Sequence, residues 1–343
     1  MACLPRIPAA PASISAQRCT AGSARSSRPA GLGSEAPLRL ISGLGAAWLC
    51  SSRAGPLALR LLGCRGPGRS VKWRSAMQVH APARAVSTAS STLPWRSLER
   101  VYCVNLDRRP ERWNFMQDQF EQLQMPVQRF SAVDGRTLDV PHLADVGLIA
   151  KEALPRYYLP NEQKLFGTDL TDGGIGCALS HMMIWRDIIA RCNSGAATSS
   201  SMFLVLEDDC QFGDGFSEEV LGERLRQVPP DWEMIYLGGQ DLMHRQHLYE
   251  VAPGVRRLYK GFRETTAYVI NEAGAKACLE VCVPMHWQVD THINDESLRE
   301  GLRPRREGEQ EYTMRPRGYC LWPPIVAQSR DRFKTDVQKV EHD

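Results

Sequence analysis

Three consecutive acids, Glu207, Asp208 and Asp209, stand in the run MFLVLEDDCQF, directly behind an apolar stretch that reads as a strand entering a core. On a strand, alternate side chains share a face, so Glu207 and Asp209 are expected on one side and Asp208 on the other. Two carboxylates about 4 Å apart repel by roughly 4 kcal/mol at an effective dielectric of about 20. Lys or Arg partners, proton uptake or a bound cation relieves such repulsion. Hard carboxylate oxygens suit Mg²⁺ or Mn²⁺, ions that commonly bridge protein acids to substrate phosphates. The position fits, because ligands of open α/β sheets gather outside the carboxyl ends of the strands. A solvated loop or a helix cap is the other reading.

Other chemistry-bearing residues are scattered along the chain. VNLDRRPERW places Asn105, Asp107, Arg108 and Arg109 just after a β-rich run, where Asp107 also suits a helix cap. Asp134-Gly135 is a turn pair. Ser180 and His181 are adjacent in GCALSH, but no GxSxG elbow accompanies them, and a structural histidine is the plainer reading. In QVDTHI, Asp290 and His292 are two apart, and Asp290 could instead cap a helix. GGIG lacks the GxGxxG spacing of a dinucleotide loop. The 11 cysteines show neither CxxC pairs nor Cys/His zinc spacing; Cys278 and Cys282, four apart, read as a buried thiol face of a helix.

The elements that must position these residues alternate. RVYCVNL reads as a strand, after which DRRPERW turns into the helix WNFMQDQFEQLQ with Phe115, Phe120 and Leu123 on its apolar side, and VQRFSAVDG is a second strand ending in the turn pair Asp134-Gly135. Residues 136–170 show no clear period. GGIGCALSHMMIWRDIIARC is a helix opened by glycines, with Leu179, Met182, Met183, Trp185, Ile188 and Ile189 on its core face. MFLVLEDD, EMIYLGG and TTAYVIN follow as strands, then the helix EAGAKACLEVC and a closing YCLWPPIVAQSR. This alternation predicts an α/β fold with a mostly parallel, largely buried central sheet.

Composition divides the 343 residues at about position 95. Residues 1–95 carry 12 Lys/Arg and one acid, Glu35, leaving the remainder 30 basic and 38 acidic residues, a net of −8. The first part is rich in Ala, Ser, Arg, Pro and Gly and is expected to be a disordered tail. An Arg- and Ser-rich, acid-poor leader resembles an organelle transit peptide; a signal or anchor around LRLISGLGAAWLC and a tail for anionic surfaces are the alternatives. Residues 96–343 form one expected domain, mildly acidic and so unsuited to nucleic acid, with no run apolar enough for a membrane span.

The motifs VNLDRRPERW, RFSAVDG, GGIGCALSHMMIW, FLVLEDDCQF, MIYLGG, TTAYVINEAGAKACL, QVDTHI and PPIVAQS occur in one order. Together, over about Arg100 to Asp336, they resemble the glycosyltransferase family 25 domain, which includes bacterial lipooligosaccharide and animal collagen galactosyltransferases. The resemblance implies a GT-A-like nucleotide-sugar-binding fold and a UDP-sugar donor, UDP-galactose first. It implies transfer with inversion to a glycan, lipid-linked sugar or protein hydroxyl, in the secretory pathway for protein acceptors. Glu207, Asp208 and Asp209 would fill the role of the DxD motif, holding a divalent metal, Mn²⁺ first, with Asp209 the direct ligand. Asn105 and Asp107 would bond uracil or ribose, Arg108 or Arg109 a phosphate. Asp134, Ser180 and His181 would lie at the donor site. Asp290 would be the general base and His292 its reserve; Gln328 matches a family position without an assigned role. Gly174 stands where the family often has an acid, which keeps a degenerate domain that binds nucleotide or glycan without turnover as the alternative.

Overall fold

In this computed structural model the described residues are 95–242, 250–294, 312–313 and 315–338. The chain divides into two units at Ala54, and these residues all belong to the second. The expected tail, with its targeting readings, lies outside the described residues apart from Trp95. That residue, assigned to the tail by composition, is 3% exposed. Its ring stacks on Phe216 at 5.7 Å and its Nε1 donates to the Leu123 carbonyl at 3.0 Å.

From the amino end the elements are β1 (Arg100–Asn105), α1 (Pro110–Leu123), β2 (Val127–Ser131), the short helices α2 (Val140–Asp145) and α3 (Leu154–Tyr157), and α4 (Asp172–Asn193). Next come β3 (Phe203–Glu207), β4 (Cys210–Phe212), α5 (Glu218–Arg226), β5 (Met234–Tyr236), β6 (Gln240–Asp241), β7 (Glu250–Ala252), β8 (Val255–Arg257), β9 (Phe262–Arg263) and β10 (Ala267–Ile270). α6 (Glu272–Cys282), α7 (Val289–Asn294), β11 (Gly318–Leu321) and β12 (Val326–Gln328) complete them.

The central sheet runs β2-β1-β3-β10-β5-β11-β8-β7. The expected α/β class is observed, but the sheet is mixed rather than mostly parallel. β1 pairs parallel with β2 and β3, and β11 with β5, whereas β10 is antiparallel to both neighbours. An apolar run such as AYVI carries no mark of strand direction, so the inserted antiparallel strand was not legible.

Side-chain alternation divides the core between the two faces of the sheet. Tyr102, Phe203, Val205 and Tyr268 pack with Trp185 of α4 and Cys278 of α6, while Val101, Cys103, Leu204 and Val269 pack with Met116 and Phe120 of α1. Helices therefore cover both faces, and strands β1, β3 and β10 are apolar on each. Cys278 and Cys282 are buried, as their spacing suggested. No helix among the described residues is long and apolar enough to cross a membrane.

α4 positions the site. Thr171 caps it, its Oγ1 accepting from the Gly174 N–H at 2.9 Å. The glycines serve close backbone approach. A Cβ on Gly176 would lie 2.4 Å from the Val133 carbonyl oxygen, and one on Gly173 2.0 Å from that of Asp336. Gly174 is buried in the same turn, where a side chain would meet Thr171 Oγ1 at 3.2 Å and Gln288 Cγ at 3.3 Å.

Candidate active site

The acid triplet lies where the carboxyl ends of β1 and β3 meet. Their parallel register sets Val104 beside Glu207, which brings Asn105 next to Asp208. Asn105 Nδ2 donates to Asp208 Oδ2 at 2.6 Å and to the Arg109 carbonyl at 3.1 Å, while its Oδ1 accepts two bonds from Arg129. Asn105 is 1% exposed, so its amide holds the acid turn and the β1–α1 loop together. β3 ends at Glu207, and Asp208-Asp209 form the turn into β4. β4 pairs antiparallel with β12, aligning Gln328 with Cys210. Gln328 Nε2 thereby donates to Asp209 Oδ2 at 3.2 Å, and the Ser329 N–H donates to the Asp209 carbonyl at 2.8 Å.

The triplet divides differently from strand alternation. Arg112, 5% exposed on α1, donates from one nitrogen to Asp208 Oδ1 at 2.7 Å and to Asp209 Oδ2 at 3.1 Å. Its second terminal nitrogen donates to the Lys334 carbonyl at 2.7 Å. Glu207 belongs to a separate group: its Oε1 accepts from Thr265 Oγ1 at 2.6 Å and lies 3.3 Å from His181 Nε2. The period of two applies only as far as the strand, and the turn after Glu207 lets both aspartates share one guanidinium.

One cation does not satisfy this cluster. Asp209 Oδ1 is buried with no hydrogen-bond partner among the described residues. Burial, with Glu207 and Asp208 adding, pushes the Asp209 carboxyl up to about 7 against the pull of Arg112. Burial also raises Asp208, while Arg112 and Asn105 oppose it. Glu207 feels burial most, yet hydrogen bonds and charge from His181, with Thr265, hold it below the ordinary carboxylate value. An orphaned oxygen on an all-oxygen acid pair is a fitting site for a hard divalent cation.

His181 is fully buried. Its Nδ1 shares a hydrogen bond with Tyr268 Oη at 2.8 Å, and Trp185 Nε1 donates to the same hydroxyl at 3.0 Å. Cys177, one turn earlier on α4, completes a group with His181 and Glu207 whose ligand atoms lie within 4.8 Å of one another. Burial pushes the Cys177 thiol well up, and the charges of Glu207, Asp290, Asp209 and Asp208 add to it. Ser180 acts within the fold: it accepts from the Val133 N–H at 2.9 Å and donates to the Gly176 carbonyl at 2.7 Å.

Asp290 lies in the first turn of α7, half-buried. Its Oδ2 accepts from the Glu264 N–H at 2.9 Å, 26 residues earlier, and its Oδ1 from the Thr291 N–H at 2.7 Å, so it binds one forward amide and one from the β9–β10 loop. Burial raises its carboxyl above the ordinary value, with Arg263 opposing. His292 is 1% exposed, its ring 5.8 Å from that of His286.

The β1–α1 loop carries the remaining expected contacts. Asp107 is exposed and pairs with Arg129 at 2.8 Å and Ser131 Oγ at 2.7 Å. Arg108 reaches Asp134 at 3.2 Å and Asp336 at 2.7 Å, and Arg109 also pairs with Asp336. Asp134 caps the turn Gly135–Thr137 and binds Arg136. Sequence reading missed Arg112, Asp336 and Thr265. A signal for Arg112 exists, because Arg112, Met116 and Phe120 form the buried face of α1 at four-residue spacing, with Phe115 and Leu123 partly buried against the same core. An arginine on an apolar stripe implies a buried acid opposite.

Residues 98–293 match the family model described as "Glycosyltransferase family 25 (LPS biosynthesis protein)". The chain is 34% identical over 189 residues to a "Glycosyltransferase 25 family member" of Aedes aegypti, covering 53% of this chain and 28% of the relative. It is 29% identical over 199 residues to "Procollagen galactosyltransferase 2" of Homo sapiens, covering 57% and 29%. It is also 30% identical over 230 residues to "Inactive glycosyltransferase 25 family member 3" of Mus musculus, covering 62% and 35%. The matched region thus spans about a third of these curated relatives.

Proposed function

The chain belongs to glycosyltransferase family 25, and from that premise we propose that its domain transfers a sugar from a UDP-sugar, galactose first, to a hydroxyl of a glycan, lipid-linked sugar or protein. The observation that carries this reading is the orphaned Oδ1 of Asp209 at the carboxyl end of β3. Asp209, with Asp208 beside it, would hold Mn²⁺; when bound, the ion supplies positive charge for the leaving diphosphate. Arg112 and Asn105 orient the aspartates, and Gln328 fixes Asp209 from the other side. Glu207 turns toward His181 and stands outside this pair of ligands.

Arg108 and Arg109 are partly exposed and sit at the mouth of the same loop. They bind donor phosphate by charge-assisted hydrogen bonds, exchanging Asp336 for it. Asp107 and Asp134 take the nucleoside. Inversion requires the acceptor hydroxyl to attack opposite the leaving group, and an alcohol needs a base to take its proton. Asp290 takes that proton; its raised pKa makes it a stronger base than a solvated aspartate. Buried His292 stands two residues on in the same helix, and buried Ser180 joins Val133 to α4.

A second reading, nucleotide binding without turnover, is favoured by one observation: Arg112 already neutralises part of the acid pair. The similarity to relatives named inactive agrees with it. The test is UDP release from UDP-galactose by the full chain with Mn²⁺ or with chelator, in wild type and Asp209→Ala. Metal-dependent release lost in the variant supports transfer. Metal-dependent UDP binding without release supports the second reading, and no binding of either kind overturns both.

A further inference from the structure

Glu207, released from the aspartate pair, stands in a group of different chemistry. Cys177 and His181 are four apart on α4, so their side chains lie on one face of that helix. β3 delivers Glu207 to the same place, and the sulfur, imidazole nitrogen and carboxylate oxygen lie within 4.8 Å of one another. Sulfur, nitrogen and oxygen donors together suit zinc rather than Mn²⁺ or Mg²⁺.

His181 Nε2 and Glu207 Oε1 share a long hydrogen bond of 3.3 Å. A charge-assisted N–H···O bond closes to about 2.7–2.9 Å. Two ligands at about 2.1 Å from a tetrahedral zinc lie roughly 3.4 Å apart, close to the observed spacing. The outer contacts also match. Ligating histidines hold their second nitrogen on a hydrogen-bond partner, and ligating carboxylates are themselves hydrogen-bonded. Here Tyr268 Oη, itself fixed by Trp185, lies 2.8 Å from His181 Nδ1, and Thr265 Oγ1 donates to Glu207 Oε1 at 2.6 Å.

We propose that Cys177, His181 and Glu207 form a zinc-binding site with three protein ligands and a fourth position for water or a substrate oxygen. It is separate from the Asp208-Asp209 pair and does not depend on the function proposed above. On binding, the Cys177 sulfur moves by about 1 Å to reach the ligand spacing of a tetrahedral site, and its proton leaves to solvent. His181 binds through Nε2 and keeps its proton on Nδ1, donating to Tyr268.

The experiment is Co²⁺ titration of the full chain, followed by absorption, with Zn²⁺ as competitor. Expected is a near-ultraviolet thiolate-to-cobalt charge-transfer band that Zn²⁺ abolishes, that Cys177→Ser lacks and that Asp209→Asn retains. Tyr268→Phe, which keeps the ring, should weaken Zn²⁺ affinity by about ten- to a hundredfold through loss of the outer hydrogen bond. Co²⁺ binding without a thiolate band, lost in Asp209→Asn, overturns the zinc site and leaves the aspartate pair as the cation site. Absence of Co²⁺ binding overturns both, and an unchanged band in Cys177→Ser assigns the thiolate elsewhere and overturns this site.

Discussion

One nitrogen of Arg112 bridges Asp208 and Asp209, at 2.7 and 3.1 Å, from a side chain 5% exposed. The guanidinium on the inner face of α1 therefore ties the helix to the turn after β3. Removing it leaves two buried carboxylates with their main counter-charge gone. Arg112→Ala is expected to lose about 3–5 kcal/mol of stability. Urea unfolding with chelator present measures it, and a loss below about 1 kcal/mol contradicts the bridge.

Asp209 gives the pH dependence. Its folded carboxyl, at about 7, lies above the ordinary 3.8, so between these values the folded state holds a proton that the unfolded state has released. Stability from this group therefore falls as pH rises through that window, and the penalty is complete above about 7. Melting temperatures from pH 4 to 8 in chelator should fall for wild type relative to Asp209→Asn. Saturating Mn²⁺ should remove the difference at the upper end, since a cation replaces the proton.

Much of this arrangement was legible in residues and much was not. The strand before the triplet and the helix opened by Gly173 follow from apolar period, whereas the Thr171 cap two residues earlier was seen only in the fold. That the acids end a strand also followed, and so did the need for a counter-charge. Its identity did not, because Arg112 and Asp208 are 96 positions apart and Arg108 and Asp336 are 228 apart. Composition counts charges without pairing them. Gln328 acquired its role only through the β12–β4 register.

Asp336 pairs with Arg108 and Arg109 while its backbone crosses the start of α4. Partly exposed ion pairs are each worth about 0.2–1 kcal/mol, so Asp336→Asn should change stability little. Freed from their carboxylate, the two arginines should bind UDP several-fold more tightly, read by calorimetry. Weaker binding would instead make Asp336 a support that holds the arginines in place.

Gly173 tests the same crossing. A Cβ there would lie 2.0 Å from the Asp336 carbonyl oxygen and 2.8 Å from Val337 Cα, both backbone atoms that cannot rotate away. Gly173→Ala should cost about 1–3 kcal/mol and expose residues 330–338 to limited proteolysis. A wild-type cleavage pattern argues against the crossing.

Trp95, the first described residue, already packs in the core. Trp95→Ala removes a ring stacked on Phe216 and should cost about 3–5 kcal/mol in thermal or urea unfolding of the full chain. A cost near zero would return the residue to the tail.

The Gln328 bond to Asp209 spans 119 positions of sequence. During synthesis the acid turn therefore leaves the ribosome long before the residues that fix it from β12 and from the segment beyond. Until those arrive, Asp208 and Asp209 have Arg112 and Asn105 but no closing wall, and pairing at such long range is slow to form. Completion of the site thus reports completion of the domain, and a chain stopped before β12 carries the acids without their geometry.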